Sequence, residues 1–289
     1  MKDFIILTDS ACDLSQEKLK ELNVGCCPLT FTVADDEKEY SNYDLKPKEF
    51  YDKMREGLVA KTSAINIDRF YNFFEPYLKD KKDVFYLGFS SGLSTTVGCA
   101  KIAAEELSQK YPEQKVLVVD TLCASAGQGL IVYLAYLEKE KGANIEEVMS
   151  FVENIKLNLC HWFTVDDLVY LKRGGRVSPT VALVGTVLGI KPILHVDNEG
   201  HLISFSKVRG RKAAIMGLAE KYAELHKEND TRQVFISHAD CIDDATTLAN
   251  ILKDNHGIEV EYIADIGPVI GAHSGPGTLA IFFIGNERL

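Results

Sequence analysis

The chain has 289 residues, of which 46% are hydrophobic, and it carries a formal net charge of −10. This acidic balance argues against a nucleic acid as the main partner, because a phosphate backbone requires a basic surface. No apolar run reaches the ~18 residues of a membrane-spanning helix, and the run near the N-terminus is too short for a signal peptide. The seven cysteines form no CxxC pair, and Cys26 and Cys27 are adjacent, so we expect reduced thiols in a cytoplasmic protein.

The first half of the chain is predicted to alternate strands with helices. Strands are predicted at Phe4–Leu7, Val24–Val33, Val84–Phe89 and Val116–Val119. Helices are predicted after Ser15, over Lys48–Arg55 and Arg69–Leu78, from about Thr96 to Tyr111, and over Ser125–Lys141 and Ile145–Ile155. This alternation favours a parallel, three-layer α/β domain, in which ligands bind at the carboxyl ends of the strands.

The pattern changes near residue 160. The following strands are predicted at Trp162–Val165, Pro192–Val196, His201–Ser206, Val234–Ser237, Ile258–Ile263 and Thr278–Ile284, with helices at Val177–Ile190, Lys212–His226 and Asp243–Lys253. We therefore expect two domains with the ligand between them. An N-terminal α/β/α domain with a parallel sheet covers residues 1–160, and a C-terminal α/β domain with a mixed sheet covers residues 161–289.

The stretch Val84–Tyr111 is the central unit of the first domain. It reads as a buried strand, a polar turn over Ser90–Thr96 and a helix with apolar residues at helical spacing. Such a turn aims free N–H groups and the positive end of the helix dipole at one point, where an anion binds. Ser94 and Thr95 are well placed both to cap this helix and to donate to a ligand.

The same turn also contains the pattern G-x-S-x-G at Gly88–Gly92, which favours a second interpretation. A nucleophile elbow lies between a strand and a helix, so Ser90 is a candidate nucleophile of a serine esterase. Two features weaken this reading. Four residues follow the motif before the helix, and no HGGG-type segment precedes it. A purely structural turn is the third interpretation.

Two further segments are candidate ligand contacts. Thr62 and Ser63 lie in a polar break before an aromatic helix, where a helix cap is the simpler interpretation. The run Gly271–Gly277 contains three glycines, a proline and His273, which favours a binding loop, although an ordinary turn before an edge strand is the alternative. His273 is able to donate a proton or a hydrogen bond to a carboxylate at neutral pH.

Two basic patches stand out on this acidic chain, at Lys172–Arg176 and Lys207–Lys212. Arginines beside glycines suit docking to an acidic partner or to phosphates, while a plain solvated surface is the alternative. The candidate partner-binding residues are Arg173, Arg176, Arg209 and Arg211. The scattered histidines predict no metal site.

The order of the motifs resembles one known family. The segments TDSACDL near the start, KTS at 61–63, SSGLSTT at 90–96, LKRGGRVS at 171–178 and GAHSGPG at 271–277 span nearly the whole chain. Together they resemble the DegV family of bacterial fatty-acid-binding proteins. The resemblance implies a two-domain α/β protein that holds one long-chain fatty acid in an apolar tunnel between its domains.

The resemblance also implies roles for particular residues. Thr62, Ser94 and His273 would hold the carboxylate. We expect further ligand contacts from the residues near them in the sequence, Ser63, Thr95, Gly271 and Ser274. Members of the fatty-acid-kinase type present the carboxylate to a separate ATP-dependent kinase, which forms an acyl phosphate for phospholipid synthesis. The binding subunit would then have no catalytic centre and no cofactor. A sensor of another small organic acid is the remaining alternative, and the apolar stretch Val177–Ile190 is either a tunnel wall or a plain core helix.

Overall fold

The computed structural model describes residues 3–34, 36–177, 189–227 and 233–289. Residues 178–188 of the predicted helix Val177–Ile190 lie outside the described residues. In chain order, the described strands are β1 Phe4–Asp9, β2 Gly25–Cys27, β3 Thr30–Val33, β4 Asp36–Ser41, β5 Ala60–Ser63, β6 Asp83–Gly88, β7 Val116–Asp120, β8 Leu159–Thr164, β9 Ile190–Val196, β10 Leu202–Arg209, β11 Phe235–His238, β12 Tyr262–Asp265 and β13 Leu279–Ile284. The described α-helices are α1 Gln16–Glu21, α2 Pro47–Arg55, α3 Ile67–Lys79, α4 Thr96–Lys110, α5 Ala126–Glu140, α6 Ile145–Ile155, α7 Val169–Gly174, α8 Arg211–Leu225, α9 Ile242–His256 and α10 Pro268–Ser274.

The first sheet has the strand order β2-β1-β6-β7, and its pairings are parallel. Strand β1 is buried along its whole length, as expected for a parallel strand covered on both faces. Ile5 and Leu7 pack in one core with α3 and α4, whereas Phe4 and Ile6 pack in another core with α5 and α6. The predicted three-layer arrangement of the first half is therefore confirmed.

The second sheet is mixed and has the order β10-β9-β8-β13-β11-β12. Only β11 and β12 pair in parallel among its described strands. One face carries Trp162 and Ile281 into a core with α8 and α9. The other face carries Phe163 and Phe282 towards α5, so α5 lies between the two sheets. The transition between the sheets falls between β7 and β8, while the domain division at residue 160 stays a prediction.

A small antiparallel sheet, β4-β3-β5, differs from the expected pattern. The predicted single strand Val24–Val33 is wrong, because Pro28 and Leu29 separate β2 in the first sheet from β3 in this one. The polar break at Lys61–Ser63 is in fact strand β5, in which Thr62 pairs with Phe31. Its short, polar sequence gives no apolar alternation, so it is recognisable only through its pairing partner.

The capping interpretation of Thr62 and Ser63 is also wrong. Asn66 is the N-cap of α3, and its side chain accepts a hydrogen bond from the Arg69 N–H. The C-terminal prediction Ile258–Ile263 is shifted, since β12 covers Tyr262–Asp265. None of the described helices has the length and apolarity needed to cross a membrane.

Candidate functional site

A cavity of about 400 Å³ lies where the carboxyl ends of the first sheet face the second sheet. This volume falls within the ~300–1,000 Å³ typical of ligand pockets. Its apolar walls come from both halves of the chain, and include Leu29, Phe89, Ala124, Phe163, Val196, Leu202, Ile266, Val269, Ala280 and Phe282. The location agrees with the expectation that ligands bind at this edge of a parallel sheet.

Six of the seven predicted ligand contacts line this cavity, namely Thr62, Ser63, Ser94, Thr95, His273 and Ser274. They come from β5, the start of α4 and the end of α10. Ser63 and Thr95 are exposed, so this polar end opens to solvent. Gly271 is not among the lining residues. A Cβ there would lie 2.2 Å from the Tyr51 hydroxyl oxygen, so glycine allows α10 to pack against that ring.

The Gly271–Gly277 segment is not wholly a loop, because its first half completes helix α10. Pro268 at the first helical position is compatible with this start, since its missing N–H needs no partner there. Gly275 and Gly277 follow with positive φ angles, which glycine adopts readily. His273 thus lies in the last turn of a short helix.

His273 Nε2 lies 2.7 Å from the Thr62 Oγ1 atom. Burial and the neighbouring Arg176 guanidinium lower the pKa of His273 to about 4, so its ring is neutral at pH 7. A hydrogen bond, and not proton donation, is therefore its role at neutral pH. Gly174 makes room for the ring, since a Cβ there would lie 2.2 Å from His273 Nδ1.

Ser94 lies two residues before the first residue of α4, and the start of this helix, where the positive end of its dipole lies, borders the cavity. The Ser94 Oγ lies 2.9 Å from the Thr96 Oγ1 and accepts a hydrogen bond from the Thr96 N–H. Thr95 is the N-cap residue, but its side chain makes no capping hydrogen bond. The helix start and the hydroxyl groups together favour a negatively charged ligand group.

Arg176 belongs to the cavity wall, although its motif suggested a partner surface. Its side chain is half-buried, and its guanidinium donates hydrogen bonds to the Leu93 and Gly174 carbonyls. Burial lowers its pKa, but an arginine stays cationic at physiological pH. Arg176 therefore contributes positive charge beside His273 and the turn before α4.

The other predicted partner residues differ in their surroundings. Arg173 is exposed and lies 5.7 Å above the Tyr170 ring, and Arg209 is exposed on β10. Arg211 is engaged within the chain, because its Nε donates to Asp244 at 2.8 Å and a second nitrogen lies 3.6 Å from Asp166. These internal ion pairs make Arg211 a poor candidate for docking.

Ser90 is buried away from the cavity lining. Its Oγ donates a hydrogen bond to the Gly200 carbonyl at 3.0 Å and accepts one from the Gly92 N–H at 3.2 Å. Both partners are backbone groups, whereas a nucleophilic serine needs an adjacent base. The G-x-S-x-G pattern therefore has a structural role here, joining the turn after β6 to the hairpin between β9 and β10.

A buried polar cluster adjoins the cavity wall and was not predicted. The Ser125 Oγ lies 2.5 Å from Asp13 Oδ2 and 3.0 Å from the Ser237 Oγ. Burial raises the pKa of Asp13 to about 8, so the carboxyl is mostly protonated at pH 7. The sequence did contain a signal for Asp13, because this residue of the TDSACDL segment follows the carboxyl end of β1, where polar ligand-binding groups are expected.

Residues of the first half also hold the start of α10. The Asn42 Oδ1 accepts a hydrogen bond from the Val269 N–H at 2.9 Å, and Asp13 Oδ1 accepts one from the Gly267 N–H. The Tyr51 hydroxyl donates to the Ile266 carbonyl at 2.8 Å. No local pattern reveals these contacts, because each spans more than 200 positions.

The described residues contain no group of His, Cys, Asp or Glu side chains that could hold a metal ion.

Comparison with known proteins gives consistent matches over the whole chain. The family model described as "Uncharacterised protein, DegV family" matches residues 3–286. A DegV domain-containing protein of Clostridium perfringens is 44% identical, with 100% of this chain and 99% of the relative covered. A protein of Thermotoga maritima named fatty acid-binding protein is 35% identical over 95% of each chain.

A solved structure agrees with the fold. It is described as fatty acid binding of a DegV family protein from Thermus thermophilus, and it is 29% identical with a TM-score of 0.86. The match covers 98% of this chain and 99% of that one. With these matches and the ordered motifs, the chain belongs to the DegV family.

Proposed function

We propose that this protein binds a long-chain fatty acid in the cavity, with its carboxylate between Thr62, Ser94 and His273. The observation that carries the proposal is the meeting of these three residues, from distant segments, at the polar end of an otherwise mostly apolar cavity. The names of the Thermotoga and Thermus relatives support a fatty acid as the ligand.

The neutral His273 ring suggests how the carboxylate is held. A proton on Nε2 lets the ring donate to Thr62 Oγ1, which leaves the Thr62 hydroxyl proton free to donate to the ligand. Arg176 adds a positive charge beside this pair. Hydrogen bonds to a charged group contribute about 1.5–3 kcal/mol each.

The apolar walls account for most of the expected affinity. Burying an alkyl chain gains ~0.8 kcal/mol per CH₂, so about fifteen carbons gain roughly 12 kcal/mol before the entropic cost of binding. The tail would therefore determine affinity, while the polar end determines orientation.

We further propose that the protein is a non-catalytic carrier that presents the carboxylate to an ATP-dependent fatty acid kinase. The exposed Ser63 and Thr95 support this idea, because they leave the carboxylate end accessible. Arg173 and Arg209 are the candidate contacts with such a partner. The free cysteines support a reducing compartment such as the cytoplasm.

Native mass spectrometry of freshly purified protein tests the ligand. A co-purified long-chain fatty acid, present at reduced occupancy in a Thr62→Val/Ser94→Ala double variant, is the expected result. A bound non-lipid acid would instead support a sensor of another small molecule. Labelling by a fluorophosphonate that Ser90→Ala abolishes would establish an esterase and contradict the proposal.

The kinase step needs its own assay. The carrier loaded with fatty acid is mixed with a fatty acid kinase from a bacterium that has DegV proteins, together with ATP. Acyl phosphate is then trapped with hydroxylamine. Hydroxamate formation that requires the carrier is expected, whereas formation at the same rate from free fatty acid would rule out presentation by this protein.

A further inference from the structure

Two neighbouring rings close one side of the cavity. His161 on β8 pairs directly with Phe282 on β13, and their rings meet edge to face with centroids 5.4 Å apart. Both side chains line the cavity. The next pair on the same face of these strands, Leu159 and Ile284, is buried in the core and does not line it. The cavity therefore stops at His161 and Phe282, which together form its end wall.

Helix α5 packs directly against the end wall. A Cβ at Gly127 would lie 2.3 Å from His161 Nε2 and 2.8 Å from Phe282 Cδ1, so only glycine allows the helix backbone to approach both rings this closely. The Nε2 atom is buried and has no hydrogen-bond partner among the described residues. This contact leaves no gap between α5 and the rings through which an alkyl chain could pass.

The end wall is held in a fixed position. His161 Nδ1 lies 3.2 Å from the Leu159 carbonyl, which only accepts hydrogen bonds, so Nδ1 donates to it and the ring orientation is set. Phe282 is 2% exposed and lies between the His161 ring and Gly127. Close-packed interiors yield little when an extra group is inserted. An alkyl chain longer than the space in front of the end wall would therefore bind with a clear loss of affinity.

The end wall and the polar end of the cavity lie along the same strand. The Thr278 hydroxyl donates to the Ser274 carbonyl at the polar end, and Ala280 and Phe282 follow at alternate positions, which point to one face of the sheet. The small Ala280 side chain leaves the cavity open between them. An acyl chain that starts at the polar end and follows this face of β13 therefore meets Phe282.

We propose that Phe282 sets the longest acyl chain that the cavity accepts. This inference rests on the proposed function and narrows its ligand class, because it makes the protein selective for fatty acids up to a definite length. The Phe282 ring acts as a stop for the end of the chain, and a smaller side chain at this position would admit a longer acid.

The test measures the dissociation constants of saturated straight-chain fatty acids, from dodecanoic to docosanoic acid, by displacement of a fluorescent fatty acid from the delipidated full-length protein. The length limit is the chain length beyond which added carbons weaken binding. Phe282→Ala removes the ring from the end wall. The matched control is Phe283→Ala, because Phe283 is equally buried on the same strand but meets the Tyr222 ring on the other face of the sheet.

The length limit is expected to rise by about four carbons in Phe282→Ala, since part of the freed space closes, and to stay unchanged in Phe283→Ala. An acid just beyond the original limit should bind about tenfold more tightly to Phe282→Ala than to the wild type. An unchanged limit in Phe282→Ala would overturn the inference. If that variant fails to fold, Phe282→Leu keeps a large apolar side chain, and its limit should rise by about two carbons. An unchanged limit there refutes the inference.

The proposed function is judged separately in the same experiment. Tight binding of the acids by the wild type, without any length limit up to docosanoic acid, would support the proposed function and refute only this inference. Failure to bind any acid of the series would refute both.

Discussion

Thr62 and His273 are 211 positions apart in the chain, yet their Oγ1 and Nε2 atoms lie 2.7 Å from each other. Strand β5 provides the first residue and the last turn of α10 provides the second. The site therefore exists only when both halves of the chain are folded together. The following predictions test the groups around this pair.

Replacing Ser94 should affect transfer more than binding. Ser94→Ala removes one hydroxyl from the carboxylate end but leaves the apolar walls intact, so we expect affinity to fall about tenfold or less. Kinase-coupled acyl phosphate formation should fall much further, because the carboxylate loses its orientation. The control is Ser108→Ala, on α4 itself, where the Ser108 hydroxyl donates to the Ala104 carbonyl. Unchanged transfer in Ser94→Ala would contradict the proposed arrangement.

Arg176 should matter for charged ligands in particular. Arg176→Gln is expected to weaken binding of a fatty acid several-fold, because a cation beside the carboxylate is lost. Binding of the corresponding methyl ester should change little. Arg173→Gln removes the same charge three positions away on an exposed side chain, and should leave both affinities unchanged. Equal losses for acid and ester, measured by calorimetry, would show that Arg176 acts only through packing.

His273 should make the protein less stable in acid. Its pKa of about 4 in the folded state lies below the value of about 6.5 expected when unfolded, so the unfolded chain binds the proton more tightly. The contribution of the neutral ring to the free energy of unfolding is fully present above pH 6.5. It is lost as pH falls towards 4, and the loss amounts to roughly 3 kcal/mol.

Urea unfolding of the wild type and His273→Gln across this pH range measures the effect. The free energy of unfolding of the wild type should fall relative to that of the variant between pH 6.5 and 4. Parallel curves would mean that His273 is not held neutral by its surroundings.

The contribution of Asp13 to the stability of the protein should have the opposite pH dependence. Burial raises its pKa from 3.8 to about 8, so the folded state binds the proton more tightly. The contribution of the protonated carboxyl to the free energy of unfolding is fully present below pH 3.8, and it is lost as pH rises to about 8. Asp13→Asn retains a donor and an acceptor without titrating.

The difference in free energy of unfolding between Asp13→Asn and the wild type should therefore grow with pH. The expected slope is about 1.4 kcal/mol per pH unit within this window, with a plateau above pH 8. A constant difference, measured by urea unfolding, would show that Asp13 does not titrate in this range.

The parts of the fold that could be predicted are those whose signals are local. Strands β1 and β6 are fully buried, so their apolar runs are recognisable without knowledge of their partners. Strand β5 is polar and partly exposed, and only its pairing with β3 makes it a strand. Helix α10 contains glycines and a histidine typical of a loop, and its start is held by backbone N–H groups that donate to the Asn42 and Asp13 side chains.

The same distinction applies to the site. The hydroxyls at Ser94 and Thr95 follow a buried strand and precede a helix, which is a local signal of a ligand-binding turn. The position of Arg176 in the cavity wall could not be predicted from local sequence. Its side chain is oriented by a hydrogen bond to the Leu93 carbonyl, which lies 83 positions earlier in the chain. The composition of its segment made Gly271 a candidate ligand contact. In the structure, its lack of a side chain instead allows α10 to pack against the Tyr51 ring.

The attachment of α10 has a consequence for how a ligand would be exchanged. Swinging this helix outwards would break the hydrogen bonds that Asp13, Asn42 and Tyr51 make at its start, each worth about 1 kcal/mol net. It would also separate His273 from Thr62. Entry and release of a ligand by a path that leaves α10 in place would avoid this cost, and Thr62 and His273 would stay together between successive ligands.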